Sequence, residues 1–533
     1  MSTPGLLQVT MQPRPGLPAS QFHDWYNNEH GVNRLRLPHI FTNGLRYRAI
    51  DGETPEFAAQ YDVTDMKHLE TDIYTTLRAN RTKREAETIG QVDVYRTFYD
   101  LIHTRSAPNF VSPENLSNEE AEGLVATQVI ITLKDAEGAA DAYAKWFIEE
   151  HAVMLSKVPG WRRSRLYKTS YLEGATKAVF FAQHDYDKVN GLGGPEHKAS
   201  MDTKWRTEVF DKYVADKARR EFGLFYIFGP ASRDLHSLSQ LDPAASFTSP
   251  DGKTVTTTGP NPSIKSFVTT ADQLEIPIYL EGNTSPEAPT VAFSNSLLTS
   301  HRMWDRFVEI LKKERPDLRL LRYDTRGRHA IPQPPKKATM EMLADDLLAI
   351  LDALRITKLH TLIGVSMGGA TTLNFAIKYP ERVSKFIACD CNYKSTEANT
   401  KAWGDRSKLA EEGGINELAE MTVKRWFHPL VVEDEKTTKW MIDEVAQNDI
   451  QGFTHSCTAL CDFNLEASLD GCQVPALLVA GEGDGNGAIA KILDGVKGRI
   501  GQKGAELRLV PDAGHLPMYE RPQAFWDAIK SFI

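Results

Sequence analysis

Hydrophobic and polar positions follow two different rhythms along the chain. Over residues 1–231, short strand-like runs at 6–11, 44–48, 57–63 and 92–98 are separated by segments of helical period, and the same series returns at 125–133, 163–167, 178–186 and 222–228. From 289 onward, apolar runs at 289–293, 318–323, 359–365, 385–389, 476–480 and 507–510 alternate with helical patterns such as 340–354, with leucines at 343, 347, 351 and 354. Uninterrupted or period-two apolar runs mark strands, and a 3.6-residue period marks a helix with one buried face. The second rhythm therefore predicts a mostly parallel sheet covered by helices on both faces.

The first rhythm is an internal repeat. Trp25…Glu29-His30 returns as Trp146…Glu150-His151 at an offset of 121, which also relates Pro38 to Pro159 and Leu45 to Leu166. Ala59-Gln60-Tyr61-Asp62 matches Ala182-Gln183-His184-Asp185 at an offset of 123, so one short insertion separates two copies of a unit. Each copy reads strand, helix, strand, strand, helix, strand, a β-α-β-β-α-β order of ferredoxin-like type. One such sheet leaves an apolar face open, and a duplicated chain carries the second sheet that covers it. The expected units are repeat 1 over 1–112 and repeat 2 over 113–231. Between 232 and 265, Ser, Thr, Pro, Gly and Asp dominate, which is the composition of a linker. The alternating region follows over 266–533, with a helical insertion at about 395–469 placed to act as a lid over the strand ends.

Gly364-Val365-Ser366-Met367-Gly368 sits between an apolar strand and a helix. The pattern supplies small residues where a strained strand-to-helix turn pushes a serine outward, making Ser366 the candidate nucleophile. Serine needs a base and a group that orients the base, in the chain order Ser, acid, His. His515, in Asp512-Ala-Gly-His515-Leu-Pro after the last strand, is the expected base. Asp484, in Gly481-Glu-Gly-Asp484-Gly after the preceding strand, is the expected acid, with Glu482, Asp512 and Asp390 as alternatives. The oxyanion of an acyl-transfer intermediate needs two N–H donors. They are expected from Met367 and from Ser296 in the loop Ser294-Asn295-Ser296-Leu297, with Asn295 and Leu297 beside them as substrate contacts.

Two resemblances follow from these motifs. The Trp-Tyr/Phe-x-x-Glu-His helices with their Leu-Pro or Val-Pro turns resemble the EthD-like, dimeric α+β barrel family, over residues 1–230 as two copies. The C-terminal region resembles the 3-oxoadipate enol-lactonase group of α/β-hydrolases. That resemblance rests on Ser294-Asn-Ser-Leu, Met303-Trp-Asp, Arg322-Tyr-Asp-Thr-Arg-Gly327, Gly364-Val-Ser-Met-Gly-Gly369, Arg425-Trp-Phe427 and Ala513-Gly-His-Leu-Pro. It implies cleavage of a small acidic enol-lactone by Ser366, His515 and Asp484, with Trp426 of the lid near the substrate. The chain departs from the group at Gly327-Arg328-His329-Ala330 and at Gly485-Asn486-Gly487, which border the expected pocket. C–C bond hydrolysis of a diketone-like substrate on the same residues is an alternative reaction. A second site in the barrel, at His30 and His151, is another, against a structural role for the Glu-His pairs. A third reading makes the C-terminal region a binding module.

Composition narrows the partners. The 533 residues carry a net charge of -9 and no Lys/Arg-rich run, which argues against nucleic acid. No apolar run is long enough for a membrane span, and no basic start with an apolar segment marks a secretory signal, so a cytoplasmic location is expected. The five cysteines, all in the last third, lack zinc-site spacing, so neither a metal nor another cofactor is expected. The expected partner is a small-molecule substrate, with a homo-oligomer through the barrel domain left open.

Overall fold

The computed structural model describes residues 2–173 and 179–533. They divide into two compact units, one ending at Ser232 and the other beginning at Arg233.

The first unit is a closed barrel of eight antiparallel strands. These are β1 (Gly5–Pro13), β2 (Leu45–Ala49), β3 (Phe57–Val63), β4 (Val92–Ser106), β5 (Val125–Leu133), β6 (Trp161–Thr169), β7 (Val179–Tyr186) and β8 (Val214–Ile227). Ala178, expected to begin β7, lies outside the described residues. Around the barrel the order is β1-β3-β2-β8-β5-β7-β6-β4. Each half thus keeps the order fourth, first, third, second, and the halves join where β2 pairs with β8 and β4 with β6. This explains why β4 and β8 run to 15 and 14 residues, well beyond the expected 92–98 and 222–228. The two strands have one partner in their own half and a second, further along, in the other half. Their exposed charged stretches hide this length from a hydrophobicity pattern.

The barrel interior is polar at its centre. Gln8 faces Gln60 across β1 and β3, and Gln128 faces Gln183 across β5 and β7. Gln60 donates to Gln8 at 2.7 Å and Gln8 to Gln128 at 3.1 Å, and Gln60 also donates to Gln183. Buried amides are stable only when paired, so this network ties the two halves in one register. Aromatic and aliphatic clusters fill the space between strands and helices, around Trp25, Tyr26 and Phe57 in the first half and Trp146, Phe147 and Phe180 in the second. In both halves the helix after the first strand passes through a π-helical segment on the repeated motif, Trp25–His30 and Phe147–His151.

The second unit is built on a ten-stranded sheet of β9 (Ser246–Thr248), β10 (Val255–Thr257), β11 (Ser263–Thr269), β12 (Glu275–Gly282), β13 (Thr290–Ser294), β14 (Arg319–Tyr323), β15 (Thr361–Val365), β16 (Phe386–Cys389), β17 (Ala476–Gly481) and β18 (Glu506–Val510). The order is β18-β17-β16-β15-β13-β14-β12-β11-β10-β9, with β13 to β18 parallel and β9 to β12 antiparallel. The parallel strands β13, β15, β16 and β17 are buried throughout, as their uninterrupted apolar runs require. The stretch 232–265, expected as a linker, is instead folded into the helix Leu235–Ser239, β9, β10 and the start of β11. Its strands are short and lie at the edge of the sheet, where hydroxyl pairs such as Thr254 with Ser266 (3.1 Å) take the place of apolar packing. The chain runs from β13 to β14 on one side and returns to β15 on the other, so loops diverge at the carboxyl ends of β13 and β15 and open a crevice. Between β16 and β17 the inserted segment is helical, with Glu397–Gly413, Ile415–Trp426, Glu435–Ala446 and Ile450–Cys457 as its longer helices. Among the described residues no helix is long and apolar enough to cross a membrane.

The glutamine network generates a direct expectation. Gln183→Leu removes the acceptor that serves Gln60 and Gln128, and should destabilise the barrel by about 1–3 kcal/mol. Hydrogen exchange of the amides in β1, β3, β5 and β7, followed by mass spectrometry, checks this; unchanged protection contradicts it.

Candidate active site

Ser366 occupies the turn from β15 into the helix Met367–Lys378, with φ 59° and ψ -120°. A non-glycine residue there is strained, and the turn persists only because its surroundings leave no alternative. A Cβ on Gly364 would lie 2.1 Å from the carbonyl oxygen of Gly368, and one on Gly368 would lie 2.1 Å from that of Ser294. Both positions must therefore be glycine. The Ser366 N–H donates to the Cys389 carbonyl at 2.9 Å, which fastens the turn to β16. Met367 is the first residue of the helix, so its N–H lies among the donors with no intrahelical acceptor.

His515 follows β18, and its Nδ1 lies 2.9 Å from Oδ2 of Asp484, in the turn after β17. Among the acidic alternatives, Asp484 is the one bonded to the imidazole. Burial works against charge on Asp484, but the His515 imidazole, its hydrogen bond and the Arg425 guanidinium hold its carboxyl below the usual range. Asp390 is buried in a left-handed conformation (φ 45°), and its Oδ1 accepts from the Gly481 N–H at 2.8 Å. Its Oδ2 receives no donor, and burial followed by the charge of Asp484 pushes this carboxyl well up. Burial and the Asp484 charge thus favour the neutral form of Asp390, while the imidazole favours the charged form of Asp484.

The loop carrying His515 is fixed by a carboxylate that no motif announced. Glu520, 3% exposed, accepts from the N–H groups of Gly514 (3.0 Å), Leu516 (2.9 Å) and His428 (2.8 Å). The His515 N–H donates to the Trp426 carbonyl at 2.7 Å, and the Trp426 ring stacks on the imidazole with centroids 5.6 Å apart. Trp426 belongs to the helical insertion, so the lid and the histidine loop are joined at this point.

Ser366, Met367, Leu297, Trp426, Asp484 and His515 all line one cavity of about 260 Å³. The insertion adds Trp403, Arg406 and Arg425 to its wall. Trp403 and Arg406 lie on the helix Glu397–Gly413 and Arg425 on the helix Ile415–Trp426. Ser296 and Asn295 are not among the lining residues. Asn295 donates to the Tyr323 carbonyl (2.8 Å) and accepts from the Trp304 indole (2.9 Å), so its amide is used up in holding the loop. Ser296 is buried at 1% exposure and its hydroxyl has no partner. Arg328, at the departure noted in the sequence, donates to the Leu298 carbonyl (2.9 Å) and to the Glu444 carboxylate (2.9 Å). Glu444 in turn accepts from the Ser300 N–H at 2.9 Å, so this buried pair fastens the insertion to the loop after β13.

In the barrel, the two histidines are placed differently. His30 Nδ1 lies 2.5 Å from Glu85, and burial with the nearby Arg34 charge pushes the imidazole down to about 4, so it is neutral at pH 7. His151 stacks on Trp146 (4.6 Å), its Nδ1 has no partner, and burial lowers its pKa. Glu29 and Glu150, their neighbours in the repeated motif, accept from the cap hydroxyls of Thr82 and Thr203, each at 2.6 Å. Trp25 and Trp146 are core residues at 1% exposure. Among the described residues, no group of three or more His, Cys, Asp or Glu side chains is gathered as metal ligands.

Residues 289–412 match the α/β hydrolase fold family. The chain is 31% identical over 248 residues to 3-oxoadipate enol-lactonase 2 of Acinetobacter baylyi, covering 46% of this chain and 88% of that protein. It is 31% identical over 259 residues to 3-oxoadipate enol-lactonase 1 of the same organism, covering 47% and 91%. Among solved structures, an enol-lactonase from Burkholderia xenovorans is 28% identical, with a TM-score of 0.45, and covers 50% of this chain and 98% of that one.

Glu520→Ala strips three buried N–H groups of a charged acceptor. We expect a loss of about 3 kcal/mol in stability, read as a lowered midpoint of urea unfolding. An unchanged midpoint would show that the carboxylate does not hold the loop.

Proposed function

The chain belongs to the α/β-hydrolase family, and on that premise we propose that its region 233–533 cleaves a small ester or lactone through Ser366, His515 and Asp484. The observation that carries this reading is the His515–Asp484 hydrogen bond of 2.9 Å in a cavity that also receives Ser366 from its strained turn. The steps follow from the chemistry of the groups. The Ser366 Oγ adds to the carbonyl carbon while His515 takes its proton, and Asp484 stabilises the imidazolium that forms. The carbonyl oxygen becomes an oxyanion and is met by the Met367 N–H and by a second N–H of the loop 295–297. Collapse of the tetrahedral species breaks the ester C–O bond, with His515 returning the proton to the leaving oxygen. A lactone leaves both its ends on the acyl-enzyme. Water then attacks the acyl carbon with His515 again as base, releasing a carboxylic acid and free Ser366.

The protonated Asp390 positions the acid. A proton on its unpartnered Oδ2 would let it donate toward Asp484 and leave Asp484 Oδ2 for the imidazole. The named activity of the two Acinetobacter relatives supports an enol-lactone or related ester as substrate. Arg406 and Arg425 in the cavity wall suit a substrate with its own negative group. For the N-terminal unit we read the eight-stranded barrel as a tandem of two EthD-like, ferredoxin-type repeats. The support is the repeated strand order and the repeated Trp…Glu-His segment.

A fluorophosphonate probe should label the intact protein on Ser366 and leave Ser366→Ala unlabelled; equal labelling of both would overturn the assignment. Asp390→Asn keeps a donor toward Asp484 and should hold kcat/KM on a reactive ester within a few-fold of the parent, whereas Asp390→Ala should lower it by about tenfold or more. Equal values for the two variants would remove the positioning role of Asp390.

A further inference from the structure

We propose that the cavity in the first half of the barrel binds a small organic anion with an apolar or aromatic body, its charge held by Arg34, Arg78, Arg81 and Arg96. The cavity, about 460 Å³, lies between the strands and the helices of that half and is distinct from the one beside Ser366. Alternate residues of β1, Leu7, Val9 and Met11, line it together with Trp25. That surface suits an apolar ring.

The polar lining has one sign. Four arginines line the cavity against a single carboxylate, Glu85, in a chain whose net charge is -9. Glu85 is already bonded to His30 at 2.5 Å. Among the described residues none of the four arginines lies within ion-pair distance of a carboxylate. Arg34 is buried and donates to the His30 carbonyl at 2.7 Å, and among the described residues its Nε has no acceptor. The Arg78 Nε likewise has no acceptor, and its guanidinium lies over the Tyr74 ring at 5.9 Å. Arg81 and Arg96 are exposed. Guanidinium charge thus runs from the surface down to a buried group, which both steers an anion inward and leaves donors free to meet it. Glu85 is the one carboxylate whose charge reaches Arg34, and it also serves His30, so a ligand carboxylate would add bidentate acceptors for the guanidinium donors. His30 is neutral beside it, so it adds no competing charge.

The repeat isolates what is special to this half. Val9 faces Arg96 across β1 and β4, and Val129 faces Arg219 across β5 and β8, so the cation on the closing strand recurs. In the second half it is engaged, because Arg219 pairs with Glu221. Arg206 stands there at the third position after the capping Thr203, as Glu85 does after Thr82, and lies over the Phe210 ring at 4.1 Å. That second cavity is only about 170 Å³. The first half alone combines room with unpaired cations.

Calorimetric titration of the whole chain with naphthalene-2-carboxylate and with its neutral analogue naphthalene-2-carboxamide tests the proposal. We expect the carboxylate to bind about tenfold or more tightly than the amide. Arg78→Gln/Arg96→Gln should weaken the carboxylate by about tenfold or more and leave the amide unchanged. Arg81→Gln, at an exposed position, serves as a second variant should the double substitution unfold the barrel, and it should weaken the carboxylate alone. Fluorophosphonate labelling of the parent and of each variant should be equal, which reads the second unit as undisturbed. Equal affinity for carboxylate and amide, no saturable binding of the carboxylate, or a carboxylate affinity indifferent to these substitutions would each overturn the assignment.

Discussion

One backbone constraint underlies the site: a serine is held at φ 59° and ψ -120° between a buried parallel strand and a helix. The conformation is unfavourable in isolation and is enforced by contact. Gly364 and Gly368 let the helix start so close to β15 and to the loop after β13 that no side chain fits at either position. The same closeness sets Ser366 and Met367 in the wall of the cavity at the strand ends. Everything else in the second unit brings other groups to this fixed point.

The histidine is brought there by a different device. Its loop has no regular structure, and it is held by buried hydrogen bonds from its backbone to Glu520 and to the carbonyl of Trp426. Because Trp426 lies in the helical insertion, the order of the histidine loop depends on the seating of the lid. Arg328 and Glu444 form a second fastening between the insertion and the loop after β13. The two carboxylates at 390 and 484 complete the arrangement by dividing their roles. Burial pushes the carboxyl of the more deeply buried one up, and the imidazole holds that of the other down.

How much of this was legible in the sequence depends on the kind of signal each residue left. The parallel strands were legible because burial on both faces forces uninterrupted apolar runs. The placement of Ser366, His515 and Asp484 around one cavity was legible because a strand-end site collects its residues just after such runs. The repeat was legible because Trp, Glu and His returned in register. Long-range pairing left no local trace. The extra length of β4 and β8 lies in exposed, charged stretches whose partners come from the opposite half, and β9 and β10 look like linker because short edge strands need little apolar surface. Glu520 belongs to no motif, and only the fold shows three N–H groups turned toward it. Asn295 was read as a substrate contact because it lies beside the expected oxyanion donors, but its amide is committed to Tyr323 and Trp304. Arg328 looked like a departure bearing on the substrate and proves to tie two loops together.

The central claim is that Ser366 forms a covalent acyl intermediate. The most direct measurement mixes the whole chain with 4-nitrophenyl acetate, quenches the reaction in acid before the steady state, and maps the acetyl group by peptide mass spectrometry. The account predicts an added acetyl group on the peptide that contains Ser366. An acetyl group found only on another residue, or none at all, would contradict it.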